Sequence, residues 1–314
     1  MVNDNEIKAV TSPFAIREGE TKVFDGKDGY VSMNQIIQRI NLGHINDIHF
    51  KILSLVNEFE FITSRQLFQL LEINGFDVKS QDKLNGKLDQ LVKAKILTRY
   101  YFNSDDGKGI YRIYCLEKMG KYLLNSRGEE CKWQPTDNTK PVYMLKRRLA
   151  GNQTLIAYMQ KVGAFKGFVL EPTLFAKRQN VKFKATGGQV ILVKNDIKVD
   201  IIFEVVRRNA GWEEKFMEKI KLYEEFYANF QAKDCGFDKK PQLIIIGEDD
   251  EHIVEIFKAL KRINAELKGI VVYYSTDLRQ LEPEMDKTLI TFRQDKETGR
   301  YKMDMLQQFP LLEK

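Results

Sequence analysis

Between Ile45 and Leu124 the apolar residues recur every three or four positions. The sets are Ile48, Ile52, Leu55 and Val56, then Leu67, Phe68, Leu70 and Leu71, then Leu84, Leu88 and Leu91. That period marks helices with one buried face. The first helix ends near Glu58. The second is capped by Thr63 or Ser64 and stopped by Gly75, and the third is capped by Ser80. The pattern then changes. Ile96–Phe102 is rich in β-formers, residues 103–109 (NSDDGKG) are turn-formers, and Ile110–Leu116 is a returning strand. Glu117–Ser126 closes this part as a fourth helix. Helix, helix, helix, hairpin is the order of a winged helix-turn-helix, expected over residues 44–128. Residues 1–43 read as a polar, loosely ordered leader with one short helix, Met33–Leu42, behind Ser32.

Residues 129–140 are polar, contain Pro135 and read as a linker. Beyond them, in residues 141–314, the pattern alternates. A helix over Val142–Val162 precedes strands at Phe168–Leu170, Val181–Phe183, Val190–Val193 and Ile197–Val206. Trp212–Phe230 repeats apolar residues at helical spacing. Leu243–Ile246 is a short apolar strand of the buried kind, His252–Leu267 a helix, Ile270–Tyr274 a second buried strand, and Leu289–Phe292 a closing one. Strands followed by alternating helix and strand predict a mixed α/β sheet with helices on its faces. The fold class expected for the whole chain is α+β.

The outer face of the third helix carries candidate chemistry. With Leu84, Leu88 and Leu91 turned inward, an advance of about 100° per residue places Lys79, Lys83, Gly86, Gln90 and Lys93 on one outward stripe, with Lys87 on its flank. Lysines neutralise phosphates. Glutamine pairs with base edges, adenine being its usual partner. A glycine lets a helix axis approach closely, at about 1 kcal/mol of helix stability relative to alanine. Asp82 and Asp89 flank the stripe and oppose it. Arg99, Lys108 and Arg112 on the hairpin are further candidates for contact with DNA, as are Lys146, Arg147 and Arg148 in the next helix. The plain alternative is a solvated helix face.

The 314 residues carry 50 Lys and Arg against 44 Asp and Glu, a net charge of +6. The excess is too mild to imply nucleic acid by itself, so the placement of charge decides. Three scattered cysteines (Cys115, Cys131, Cys235) and three histidines give no disulfide framework and no zinc spacing, and no metal site is expected from them. No apolar run is long enough to cross a membrane, and the first residues are unlike a secretory signal, so a cytoplasmic location is expected. There is no phosphate-binding loop and no His-x-His motif. Gly187-Gly188 precedes a strand rather than opening a helix, so it is not a dinucleotide site.

The stretch from residue 47 (DIHFKIL) to Leu123-Leu124, followed by a helix and then Ile197–Tyr223, resembles the plasmid replication-relaxation family of Gram-positive bacteria and their mobile elements. The resemblance covers roughly Ile45 to Phe230. It implies a winged helix followed by a domain similar to the PD-(D/E)xK nuclease fold. In that fold an aspartate begins one strand of a hairpin, and an acid, one spacer and a lysine lie on the next, together holding Mg²⁺. Here Glu204 matches the acid and Val206 stands in the lysine position, which Lys215 or Lys219 could fill from the next helix. Gln189 stands where the aspartate is expected. Asp200 shares a strand face with Glu204. Asp200, Glu204 and Lys219 are therefore candidates for a catalytic site or for its vestige, in a nuclease-like domain expected to be degenerate.

The expectation is a protein that binds double-stranded DNA without a cofactor, as a homodimer, in the replication, transfer or regulation of a plasmid or other mobile element, alongside replication or transfer proteins. A Mg²⁺-dependent nuclease and a winged-helix repressor are the alternatives.

Overall fold

The computed structural model describes residues 12–104, 111–232, 236–265, 267–306 and 309–313. The fold is α+β, and the chain divides into two compact units. One is Arg17–Asn152. The other joins the described residues up to Ile16 to those from Gln153 onward. The division falls within a helix, not in the polar segment 129–140. That segment belongs to the first unit, where Asn138 is buried, donates to the Leu116 carbonyl and accepts from the Trp133 indole.

In the first unit the elements are β1 (Thr21–Phe24), α1 (Met33–Asn41), α2 (Asp47–Phe59), β2 (Ile62–Thr63), α3 (Ser64–Ile73), α4 (Gln81–Lys93), β3 (Leu97–Asn103), β4 (Arg112–Leu116) and α5 (Lys118–Ser126). The predicted order of three helices and a hairpin is present. α3 and α4 start at their predicted caps: Thr63 accepts from the Gln66 amide, and Ser80 from that of Lys83. An antiparallel sheet runs in the order β1-β3-β4-β2. Its outer strand corrects the expectation of a loose leader. β1 pairs with β3 from Thr21↔Asn103 to Phe24↔Tyr100, and Ser32 and Gln35 form a reciprocal capping box on α1. A four-residue strand, two polar residues followed by two apolar ones, carries no period-two pattern and is too short to stand out in the sequence. Ile52, Leu53 and Val56 of α2, Leu67 and Leu71 of α3, and Leu84, Leu88 and Leu91 of α4 are all buried.

The second unit holds part of α6 (Val142–Lys161), then β5 (Phe165–Val169), β6 (Thr173–Ala176), β7 (Val181–Lys184), β8 (Gly188–Lys194), β9 (Ile197–Val205), α7 (Trp212–Ala228), β10 (Gln242–Gly247), α8 (Asp250–Arg262), β11 (Val272–Thr276), β12 (Ile290–Gln294) and β13 (Tyr301–Met305). Its main sheet runs β13-β12-β11-β10-β9-β8-β5 among the described residues. β9, β10 and β11 are parallel, joined through α7 and α8; the other pairings are antiparallel. Strand alternation splits the core. Ile202 packs with Phe216, Ile220 and Tyr223 of α7 and Ile253 and Ile256 of α8. Its neighbour Phe203 meets Tyr158 of α6 edge-on, the ring centres 4.9 Å apart. The Gly187-Gly188 pair serves this packing. A Cβ on Gly187 would lie 2.7 Å from that of Phe203, and Gly188 has φ +95°.

Candidate nucleic-acid interface

α4 turns Leu84, Leu88, Leu91 and Val92 into the core. Lys83, Gly86, Gln90 and Lys93 are exposed along its other side, and Lys87 is half-buried on the flank. Lys79 is exposed too, but it precedes the Ser80 cap and lies outside the helix. Gly86 has open space where a Cβ would stand and an ordinary helical φ, so nothing inside the unit requires a glycine there. Asp82 lies in the first turn, where it complements the helix dipole.

Asp89 is neutralised within the fold. Its carboxylate pairs with the Arg99 guanidinium, whose Nε lies 2.9 Å from Asp25. Arg99 therefore clamps α4 to the β-sheet, and its side chain is only 14% exposed. This corrects the expectation that Arg99 is free to meet DNA. Arg112 on β4 is exposed and reaches the same Asp25 at 3.2 Å. Lys108 lies outside the described residues.

The expected accessory patch is largely consumed by the fold. Lys146 is buried, with Nζ 2.6 Å from Glu20 and 5.1 Å from the centre of the Phe102 ring. Its spacing on α6 places it inward, where a buried partner offsets part of the desolvation cost. Arg148 has a side chain 12% exposed, and its Nε lies 3.3 Å from Glu60. Arg147 is half-buried. Lys146 and Arg148 are thus internal ion pairs, not a phosphate-binding edge.

In the second unit Glu204 is buried at the centre of a small network. Lys219 Nζ lies 2.7 Å from Oε1. The Tyr223 hydroxyl donates at 2.9 Å, the Thr186 hydroxyl at 2.8 Å and the Thr186 backbone N–H at 3.3 Å. Lys219 and Tyr223 reach it together because they are four residues apart on α7. The structure thus brings Lys219 to Glu204, but it does not bring Asp200. The two acids lie four residues apart on one strand, so their Cα atoms are about 13 Å apart. Asp200 instead accepts from Gln189 at 2.9 Å and lies 3.8 Å from Lys198. Burial holds the Asp200 carboxyl above its ordinary range, partly offset by the Gln189 bond. Val206 is buried in the apolar core. Among the described residues no group of three or more His, Cys, Asp or Glu is placed to hold a metal ion.

One cluster escaped the sequence reading. At the carboxyl ends of β9, β10 and β11, Arg207 and Asp277 form a buried pair at 2.7 Å, and the Ser12 hydroxyl also donates to Asp277. Glu248 accepts backbone N–H groups of Arg208 at 2.9 Å and Ile16 at 3.2 Å. His252 is fully buried, and desolvation followed by the charges of Arg208 and Arg207 lowers its pKa to about 3. The signal was present: Arg207-Arg208, Glu248-Asp249 and Asp277 each begin within two residues of a strand's carboxyl end, where parallel sheets gather polar groups.

No protein-family model matches the chain, and no curated protein matches it. Among solved structures it is similar to restriction endonuclease FokI, with a TM-score of 0.26 and 10% identity over 74% of this chain and 43% of that one. The chain thus spans less than half the length of that enzyme, and so loose a likeness fixes no activity. No helix among the described residues is long and apolar enough to cross a membrane.

Proposed function

We propose that this protein binds double-stranded DNA through α4, with the β3–β4 hairpin beside it as a wing. One observation carries the reading. A helix capped by Ser80 sends its leucines inward and leaves Lys83, Gly86, Gln90 and Lys93 open to solvent in one row. A helix of this kind fits the major groove, its lysines meeting phosphates and its amide a base edge. Internal neutralisation of Asp89 by Arg99 removes the nearest obstacle. By the resemblance drawn from the sequence, the role is in replication, transfer or regulation of a plasmid or other mobile element. The protein acts there as a homodimer, and the second unit organises assembly or adds DNA contacts.

A nuclease built on Asp200, Glu204 and Lys219 is less favoured. Four donors already occupy Glu204, and Asp200 is too far along the strand to share an ion with it. Duplex binding followed by fluorescence anisotropy tests the leading reading. Lys83→Glu should abolish binding at moderate salt, whereas an unchanged affinity would remove α4 from the interface. DNA cleavage in Mg²⁺ that is lost in Glu204→Gln would favour the enzyme.

A further inference from the structure

Gln90 does not present a free amide. Its Oε1 lies 3.0 Å from Nε2 of His49, a buried residue in the first turn of α2. The other ring nitrogen decides what that contact is. The backbone N–H of Asn46 points at His49 Nδ1 from 3.3 Å. A backbone N–H only donates, so Nδ1 accepts, and in a neutral ring the proton then sits on Nε2. Asn46 Oδ1 also lies 2.9 Å from Nδ1, and two acceptors cannot face each other there; a half-turn of the Asn46 amide puts its NH₂ on Nδ1 instead, whereas the backbone N–H has no such freedom. Burial, the largest influence on His49, lowers its pKa and keeps the ring neutral at pH 7. Nε2–H therefore donates to Gln90 Oε1, and the exposed end of Gln90 is its NH₂.

The sequence suggested adenine as the partner of Gln90, a pairing that needs the amide to accept from N6 and donate to N7 at once. With the carbonyl directed at His49, the amide meets the groove as a donor. We infer that Gln90 is a specificity residue for guanine, held in its donor orientation by His49. Guanine presents two adjacent acceptors, O6 and N7, and no donor in the major groove, so the N–H that faces the base finds an acceptor across that edge; thymine offers O4 alone beside its methyl group, and adenine N7 lies beside the N6 donor. Adenine N6 and cytosine N4 are donors and meet the same amide unfavourably. His49 touches no base; it is a positioning residue. The inference rests on the DNA-binding reading of α4.

The test is selection of sites from a randomised duplex library by the full chain, at low and moderate salt, with wild type, Gln90→Ala and His49→Leu. Wild type should enrich guanine at one position, and Gln90→Ala should lose about tenfold discrimination there. His49→Leu should admit adenine at that position while keeping the salt dependence of wild type, which a merely structural defect would not do. If His49→Leu does not fold, wild type against Gln90→Ala decides the matter. Enrichment of adenine, cytosine or thymine at the Gln90-dependent position overturns the inference. So does duplex binding in which no position depends on Gln90. Absence of duplex binding at any salt overturns the reading beneath it as well, and is distinct from either of those results.

Discussion

Gly86 sits in mid-helix on α4 at a position where the fold gains nothing from it. A Cβ built there meets no atom within 4 Å, and the backbone is in the ordinary helical region. Gly86→Ala should therefore stabilise the first unit by the helix-propensity difference alone, about 1 kcal/mol. For a unit of this size that raises the melting temperature by about 3–6 °C. The added methyl projects about 1.5 Å, one carbon–carbon bond, from the face proposed to enter the groove. If the glycine exists to let the helix axis approach DNA, the more stable variant binds duplex worse, by about fivefold, the loss expected from loosening one base contact. Calorimetry and fluorescence anisotropy on the same preparation measure both quantities. Stabilisation with undiminished binding would refute the close-approach role. A destabilised variant would refute the helix geometry itself.

Three further outcomes follow from the buried charges. Lys146→Met leaves Glu20 buried without its cation and should cost about 3–5 kcal/mol, read by denaturant unfolding. Arg147→Ala, at its half-buried neighbour, should stay within about 1 kcal/mol. His252 stays neutral in the fold down to about pH 3 while the unfolded chain takes up a proton near pH 6.5. Stability of the second unit therefore falls as pH drops below 6.5, by roughly 2 kcal/mol at pH 5 from this group alone. His252→Gln, which can still accept the Glu248 N–H made at 3.2 Å to Nδ1, should flatten that part of the pH profile, and an unchanged profile would contradict the assignment.

Much of the architecture was written in periodicity. The leucines of α4, the Ser80 cap and the run Ile197–Val206 announced themselves because local pattern and burial coincide there. β1, β6 and β13 were not legible: each is a short strand paired at an edge or in a two-stranded ribbon, stabilised by its partner rather than by its own composition. The charged residues divided in a similar way. Lys83 and Lys93 are as exposed as helical spacing predicts. Lys146 and Arg99 are not, because Glu20 and Asp25 flank β1, which no local pattern encodes, and the Arg99–Asp89 pair depends on how α4 packs against β3. The His49–Gln90 bond joins two helices forty-one residues apart in sequence, and only the folded chain reveals it.

The central claim is that the lysines of α4 meet DNA phosphates, and the dependence of duplex affinity on salt measures this most directly. A plot of log K against log salt should lose about 2–3 units of slope when Lys83, Lys87 and Lys93 are all changed to alanine, with Lys83→Ala costing more than Lys87→Ala. Arg99→Ala, which removes an internal clamp, should leave the slope unchanged while lowering stability. A triple variant with the slope and affinity of wild type would contradict the account, because the cationic row would then be solvated surface and nothing more.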